Sequence, residues 1–253
     1  MDRRVVAMDA ALIHIDDRNF GWVYSATATI GLLLALLLPS STKRVPPASR
    51  PKYIVLQVAT LFGAIVGAKL AFLSGDLGWP VASVGWREVV FSGRSITGGL
   101  LGGFLLAEVL KIPLRYTELP NDWFATKLPL SIAVGRVGCV LAGCCRGVEG
   151  SYPISMVYSD GRPRFPAQLC ELAFQVVAFG GAWLVFRRGL LRGRVFALYM
   201  LTYGLFRLFV ESYRETPKLV GGVSVYQLLS LGLAVTGVGS LIWYSRASLH
   251  RSV

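Results

Sequence analysis

Seven stretches of the chain, 20–39, 53–74, 95–111, 123–142, 166–186, 195–213 and 223–244, approach the ~20 apolar residues that a helix needs to cross the hydrocarbon core of a bilayer. No other feature narrows the fold as far. Within a bilayer every backbone N–H and C=O needs a partner inside the protein, and a helix supplies those partners within its own segment. Composition points the same way: 54% of the 253 residues are apolar, 16% are charged and the mean hydropathy is +0.56. A water-soluble globule of this size needs more polar surface. The expected fold is all-α, a single integral membrane domain with seven transmembrane helices. Residues 1–19 carry Asp2, Arg3, Arg4, Asp9, Asp16, Asp17 and Arg18 in place of an apolar core with a small-residue cleavage site. The first span is therefore expected to act as its own insertion signal.

Basic residues in short loops set the expected orientation. Lys43, Arg44, Arg50 and Lys52 follow span one, and Arg187, Arg188, Arg192 and Arg194 follow span five, which places both loops in the cytoplasm. The N-terminus is then outside and the C-terminus inside. The net charge of +12 is dispersed beside the spans, where anionic lipid headgroups are the nearer partner, so nucleic acid is not expected.

Charges also lie inside the spans. Arg136 is late in span four and Arg207 late in span six, one helical turn before Glu211; Lys69 and Glu171 complete the set. Each such group costs at least ~2.5 kcal/mol at membrane depth, so an intramembrane charge marks a candidate site. At ~1.5 Å of rise per residue, all five fall in the outer half of the membrane, consistent with one polar pocket open to the outer leaflet. A structural reading competes: Arg207 and Glu211 satisfy each other at i,i+4 and Arg136 snorkels to the interface. The outer cluster has no excess of acid, however, and Glu108 lies near the inner end of span three. A bound anion would complete the balance.

Residues 97–103 read Thr-Gly-Gly-Leu-Leu-Gly-Gly, with Gly98 and Gly102, and Gly99 and Gly103, at a spacing that lets helices approach closely; Gly63 and Gly67 repeat it. The same run opens span three, where N–H groups and the helix dipole favour a phosphate, so Gly98 and Gly99 are candidates for packing or for substrate contact. Cys139, Cys144, Cys145 and Cys170 cluster around the ends of spans four and five. They suit a disulfide, inert thiols, or a thiolate favoured by Arg136 and Arg146. No metal is expected, since no histidine lies near and the spacing is not that of a zinc site. His14 and His250 are terminal. The loop 143–165, with Tyr152, Tyr158, Arg162 and Arg164, is either a connector or a gate for an acceptor.

Five blocks carry a resemblance: "GAIVGAKLAF" at 63–72, "SITGGLLGG" at 95–103, "GRVGCVLAG" at 135–143, "FPAQLCE" at 165–171, and "YGLFRLFVESYR" at 203–214 followed by "SVYQLLSL" at 224–231. In order and spacing the chain resembles the prolipoprotein diacylglyceryl transferases, bacterial inner-membrane enzymes with seven transmembrane helices. The resemblance implies transfer of the diacylglyceryl group of phosphatidylglycerol to the lipobox cysteine of a secreted prolipoprotein, with no cofactor. By position it implies catalytic roles for Arg136, Arg207, Tyr203 and Glu211, and substrate contacts for Lys69, Thr97, Gln168, Glu171 and Tyr24. Thr97 stands where the family has a histidine, Cys139 replaces an asparagine, Ala142-Gly143-Cys144 replaces Asn-Gly-Glu, Phe165 stands at a His-Pro pair and Cys170 replaces a tyrosine. These departures keep a second implication open, an accessory protein that binds anionic phospholipid without turnover.

Overall fold

The computed structural model describes residues 11–14, 21–37, 47–77, 93–116, 121–219 and 221–249. Lys43, Arg44, His250 and the side chain of Tyr24 lie outside the described set. Among the described residues seven α-helices form: α1 Gly21–Leu37, α2 Arg50–Phe72, α3 Ile96–Leu114, α4 Phe124–Leu141, α5 Ala167–Arg187, α6 Val195–Glu211 and α7 Val225–Leu249. Each coincides with one of the apolar stretches to within a few residues. Five are long and apolar enough to cross a membrane, within Pro47–Gly75, Ile96–Leu114, Asn121–Leu141, Ala167–Arg187 and Val225–Ser245; α1 holds a shorter apolar stretch, Ser25–Ala35.

The fold is mostly helical rather than all-α. A three-stranded sheet joins β1 Ala11–His14, β2 Ile154–Val157 and β3 Pro163–Arg164 in that order. β1 runs parallel to β2, with Ala11 opposite Ile154, and β2 runs antiparallel to β3, with Met156 opposite Arg164. Strands of four and two residues are too short to show an alternating pattern. The loop read as a connector or gate thus has secondary structure of its own.

Contacts group the chain into two compact units. The first comprises Met1–Leu38, Thr126–Gly181 and Ser212–Glu215; the second comprises Pro39–Ala125, Ala182–Glu211 and Thr216–Val253. In the first, α1 meets α4 so closely that a Cβ on Gly31 would sit 2.6 Å from the Ser131 carbonyl oxygen. In the second, small residues make two tight helix pairs. A Cβ on Gly63 would lie 2.6 Å from the Gly102 carbonyl, joining α2 to α3, and one on Gly204 would lie 2.7 Å from the Ala234 nitrogen, joining α6 to α7. Lipid tails are as apolar as leucine, so dispersion between closely approached backbones does much of the work of helix association in a bilayer.

Burial is inverted relative to a soluble protein. Phe62, Val177, Phe209 and Trp243 are exposed, while Thr97, Arg136, Gln168, Glu171, Arg207 and Glu211 are buried. Helix ends are capped by side chains: Ser224 and Gln227 form a reciprocal capping box at the start of α7, with Gln227 N–H donating to Ser224 Oγ at 3.0 Å and Ser224 N–H to Gln227 Oε1 at 2.8 Å. Asp122 accepts the Phe196 N–H at 3.2 Å and the Gly193 N–H, holding the start of α6.

The glycine contacts give a sign-discriminating expectation. Gly67→Val would drive a side chain into the Gly98 carbonyl and Gly102, at a cost of about 1–3 kcal/mol or more for an overpacked site. Gly239→Ala, in the same unit with nothing within 4 Å of its Cβ, should gain about 0.5–1 kcal/mol from helix propensity. Thermal unfolding in detergent checks both.

Candidate functional site

Arg136 is 6% exposed and meets a carboxylate from another helix of its unit: Nη2 lies 2.7 Å from Glu171 Oε2, and Nη1 lies 3.7 Å from Cys139 Sγ. Arg136 sits near the C-terminal end of α4 and Glu171 near the N-terminal end of α5, so the linker 142–166 brings the two ends together. The snorkelling expected of Arg136 under the structural reading does not occur. Gln168, one turn before Glu171, donates from Nε2 to the Cys144 carbonyl at 2.6 Å and to the Tyr158 hydroxyl at 2.7 Å. Its Oε1 is buried and has no hydrogen-bond partner among the described residues. A buried acceptor left without a donor needs an explanation.

The linker is organised by arginines. Arg146 donates to the Gly143 carbonyl at 3.0 Å and stacks 4.5 Å from the Tyr158 ring centroid. Burial pushes the Tyr158 hydroxyl above its ordinary range, against the opposing hydrogen bond from Gln168. Arg164 reaches Glu215 at 2.7 Å, Glu149 at 2.9 Å and Asp160 at 2.9 Å. Phe165 stacks on Tyr213 with centroids 4.8 Å apart, and Tyr152 stands edge-on to Phe165 at 5.2 Å. Arg164→Ala should expose this segment to limited proteolysis. The Asp160 carboxyl is held below its ordinary range by the Arg162 N–H and then by Arg164. A depressed carboxylate contributes above its unfolded pKa and is lost only as pH falls through the lower folded value. Protease resistance should therefore persist from about pH 8 to pH 5, above the usual aspartate range.

Within the second unit, Arg207 is 4% exposed and its Nη2 lies 2.8 Å from Glu211 Oε2, the i,i+4 pair visible in the sequence. Glu211 Oε1 also accepts from Thr216 Oγ1 at 2.7 Å and Ser224 Oγ at 3.4 Å. Tyr203, one turn earlier, is fully buried and stacks between Tyr199 at 5.8 Å and Phe206 at 6.4 Å. Both arginines therefore already hold carboxylates. The charge-balance reason for expecting an anion weakens accordingly; Lys69, at the end of α2, donates to the Gly93 carbonyl at 3.4 Å and lies 6.0 Å from the Phe72 ring.

Thr97 is 1% exposed, and its Oγ1 lies 2.9 Å from Ser95 Oγ. Ser95 is the N-cap of α3: its Oγ accepts the Gly98 N–H at 3.3 Å and its carbonyl accepts the Gly99 N–H at 3.0 Å. The N–H groups that seemed available to a phosphate are thus engaged, and Gly98 and Gly99 pack against Gly67, Ala71, Ala64 and Ala68 of α2. A cavity of about 460 Å³ in the same unit lies elsewhere, among Tyr53, Lys111, Trp123, Arg187, Arg188 and Arg192, and contains none of the expected site residues.

All four cysteines are thiols. Cys170 stands apart, whereas the Sγ atoms of Cys139, Cys144 and Cys145 all lie within 4.8 Å of one another. The turn after α4 makes this possible, with Gly143 at φ 60° and Cys145 at φ 59°, the latter a left-handed conformation that side chains rarely adopt. The turn thus gathers three sulfurs whose spacing in the sequence is not that of a zinc site. Hydrogen bonds to Cys139 and Cys145, and then burial, push the Cys144 thiol up, the direction of an inert thiol among the alternatives that the sequence left open.

The family model for prolipoprotein diacylglyceryl transferase matches residues 11–243. The chain belongs to this family. Similar relatives named phosphatidylglycerol--prolipoprotein diacylglyceryl transferase include proteins of Bordetella parapertussis, 32% identical over 61% of this chain, and Clostridium tetani, 26% identical over 85%. A third, from Aliivibrio fischeri, is 28% identical over 97% of the chain. The matched segment spans 62% of the Bordetella protein, 90% of the Clostridium protein and 93% of the Aliivibrio protein. No solved structure gives a significant match. Arg136, Gln168, Glu171, Tyr203, Arg207 and Glu211 are among the buried polar residues that lie in the five sequence blocks, together with Ser95 and Thr97.

Proposed function

We infer that the protein transfers the diacylglyceryl group of phosphatidylglycerol to the thiol of a secreted prolipoprotein in the bacterial inner membrane. The supporting observation is the pair of guanidinium groups buried in apolar helices, each beside a carboxylate, in a chain matched to the family over residues 11–243. Arginine stays charged when buried and presents a planar fork to phosphate. In this reading a buried guanidinium serves the lipid phosphate, and Arg136 and Arg207 are each candidates for that role. Glu211 and Glu171 keep the guanidinium groups oriented before lipid arrives, and Tyr203 packs behind Arg207. The orphan Oε1 of Gln168 accepts a hydroxyl of the glycerol headgroup. All seven helices cross the membrane, with the N-terminus outside.

The acceptor thiol gives its proton to solvent and attacks as a thiolate at the diacylglyceryl carbon that carries the phosphate; a C–S bond forms as the C–O bond to phosphate breaks, and glycerol phosphate leaves with the electron pair. Preorganised positive charge at a leaving phosphate lowers the barrier by several kcal/mol, on the scale of about 3–4 for one oxyanion donor. A second reading, an accessory protein that binds phospholipid without turnover, is favoured by one observation: Thr97, at the family's histidine position, is buried against Ser95 and has no basic atom. Gln168→Leu separates the readings from a purely structural role. It should weaken phosphatidylglycerol binding to purified protein; because the Nε2 bonds to the Cys144 carbonyl and the Tyr158 hydroxyl are lost as well, the unfolding temperature should also fall, and Tyr158→Phe, which removes one of those partners and keeps Oε1, should leave lipid binding near normal.

A further inference from the structure

We propose that Cys139, Cys144 and Cys145 form a Zn²⁺ site whose open fourth position takes a thiolate from outside the cluster. Three thiol sulfurs within 4.8 Å of one another are already close to what a zinc ion requires. With Zn–S bonds of ~2.3 Å, tetrahedral ligands stand about 3.8 Å apart, so the cluster closes by less than an ångström per sulfur. The backbone is committed to this arrangement: Cys145 occupies a left-handed conformation with φ 59° on a residue that has a Cβ, directly after a turn through Gly143. Cys139 is anchored on α4, and Cys144 is tied down by Gln168, which donates to its carbonyl at 2.6 Å. Ligands held in place by second contacts are characteristic of tuned metal sites.

Charge selects the ion. A divalent cation leaves one net negative charge on three thiolates, whereas a monovalent cation such as Cu⁺ leaves two. Arg136 Nη1, 3.7 Å from Cys139 Sγ, supplies the neighbouring positive charge. Three protein ligands with one open position is the pattern of catalytic rather than structural zinc. Resting on the transfer reading above, the fourth ligand is the acceptor cysteine. Coordination releases its proton to solvent and presents a thiolate, the task for which Thr97 has no basic atom. The same thiolate then forms the C–S bond as glycerol phosphate departs, so the metal changes neither oxidation state nor the balance of the reaction.

The test uses full-length protein purified in detergent under anaerobic, reducing conditions. Zinc measured by mass spectrometry should be about one ion per chain. It should be lost in the Cys144→Ser/Cys145→Ser double variant and kept in Cys170→Ser. Replacement by Co²⁺ should give sulfur-to-cobalt absorption that changes on adding a lipobox peptide, but not on adding the same peptide with serine for cysteine. A disulfide among the three cysteines, uptake of Cu⁺ without Zn²⁺, or zinc unchanged in the double variant overturns the site. Should the double variant misfold, titration of the wild-type protein with a chromophoric chelator decides: zinc that exchanges as weakly as from a control without cysteines overturns it too. A cobalt spectrum indifferent to the peptide in a protein that transfers lipid overturns the acceptor role. A spectrum that responds in a protein that never transfers lipid supports the site and sinks the transfer reading instead.

Discussion

Arg207→Lys is expected to reduce diacylglyceryl transfer by about a hundredfold or more, the scale of removing one preorganised donor to a developing oxyanion, while leaving the helices assembled. Lysine keeps the positive charge and can still meet Glu211, so the buried carboxylate is not left alone. What it lacks is the planar fork that serves a carboxylate and a phosphate at once. In the structure one Nη of Arg207 is given to Glu211 at 2.8 Å, and Glu211 is itself fixed by Thr216 and Ser224. A compact ammonium can serve one of those partners well, but not both in the same plane. Transfer kinetics and thermal unfolding should be measured together. Near-normal turnover in a folded lysine variant would show that Arg207 supplies charge alone, or nothing.

The second large effect belongs to Glu171. Glu171→Ala takes the carboxylate at 2.7 Å away from Arg136, which is 6% exposed, and breaking a buried pair from one side costs about 3–5 kcal/mol. The double variant Glu171→Ala/Arg136→Ala removes both charges and should recover a substantial part of that loss, because each ion's desolvation disappears with it. Unfolding of the two single variants and the double gives the coupling directly. Equal destabilisation in Glu171→Ala and in the double variant would mean that the pair at 2.7 Å does not govern stability, and that another group balances Arg136.

These expectations rest on features of unequal visibility in the sequence. Apolar runs of ~20 residues announce helices strongly, and α1 to α7 follow them closely because lipid permits little else. Arg207 and Glu211 were legible as a pair because their spacing is local. Arg136 was legible as an anomaly but not in its choice of Glu171, since that partner lies across a linker whose path no periodicity reveals. The sheet escaped notice for a similar reason: β1 and β2 are four residues each and pair across most of the chain between them.

The glycine run shows how one pattern supports two readings until contacts decide. Its small residues pack α3 on α2, and Ser95 takes the Gly98 and Gly99 N–H groups that a phosphate would have used. The three-thiol cluster was hidden in the opposite sense. Cysteine spacing suggested no metal site, and only the left-handed residues Gly143 and Cys145 fold the turn so that the sulfurs meet.

The most direct measurement incubates the purified protein with labelled phosphatidylglycerol and a lipobox peptide, and follows both products. Diacylglyceryl on the peptide cysteine with stoichiometric release of glycerol phosphate, abolished by a serine in place of that cysteine, is the expected result. Phosphatidylglycerol that binds wild-type protein and yields neither product would contradict the transfer and leave an accessory lipid-binding protein in its place.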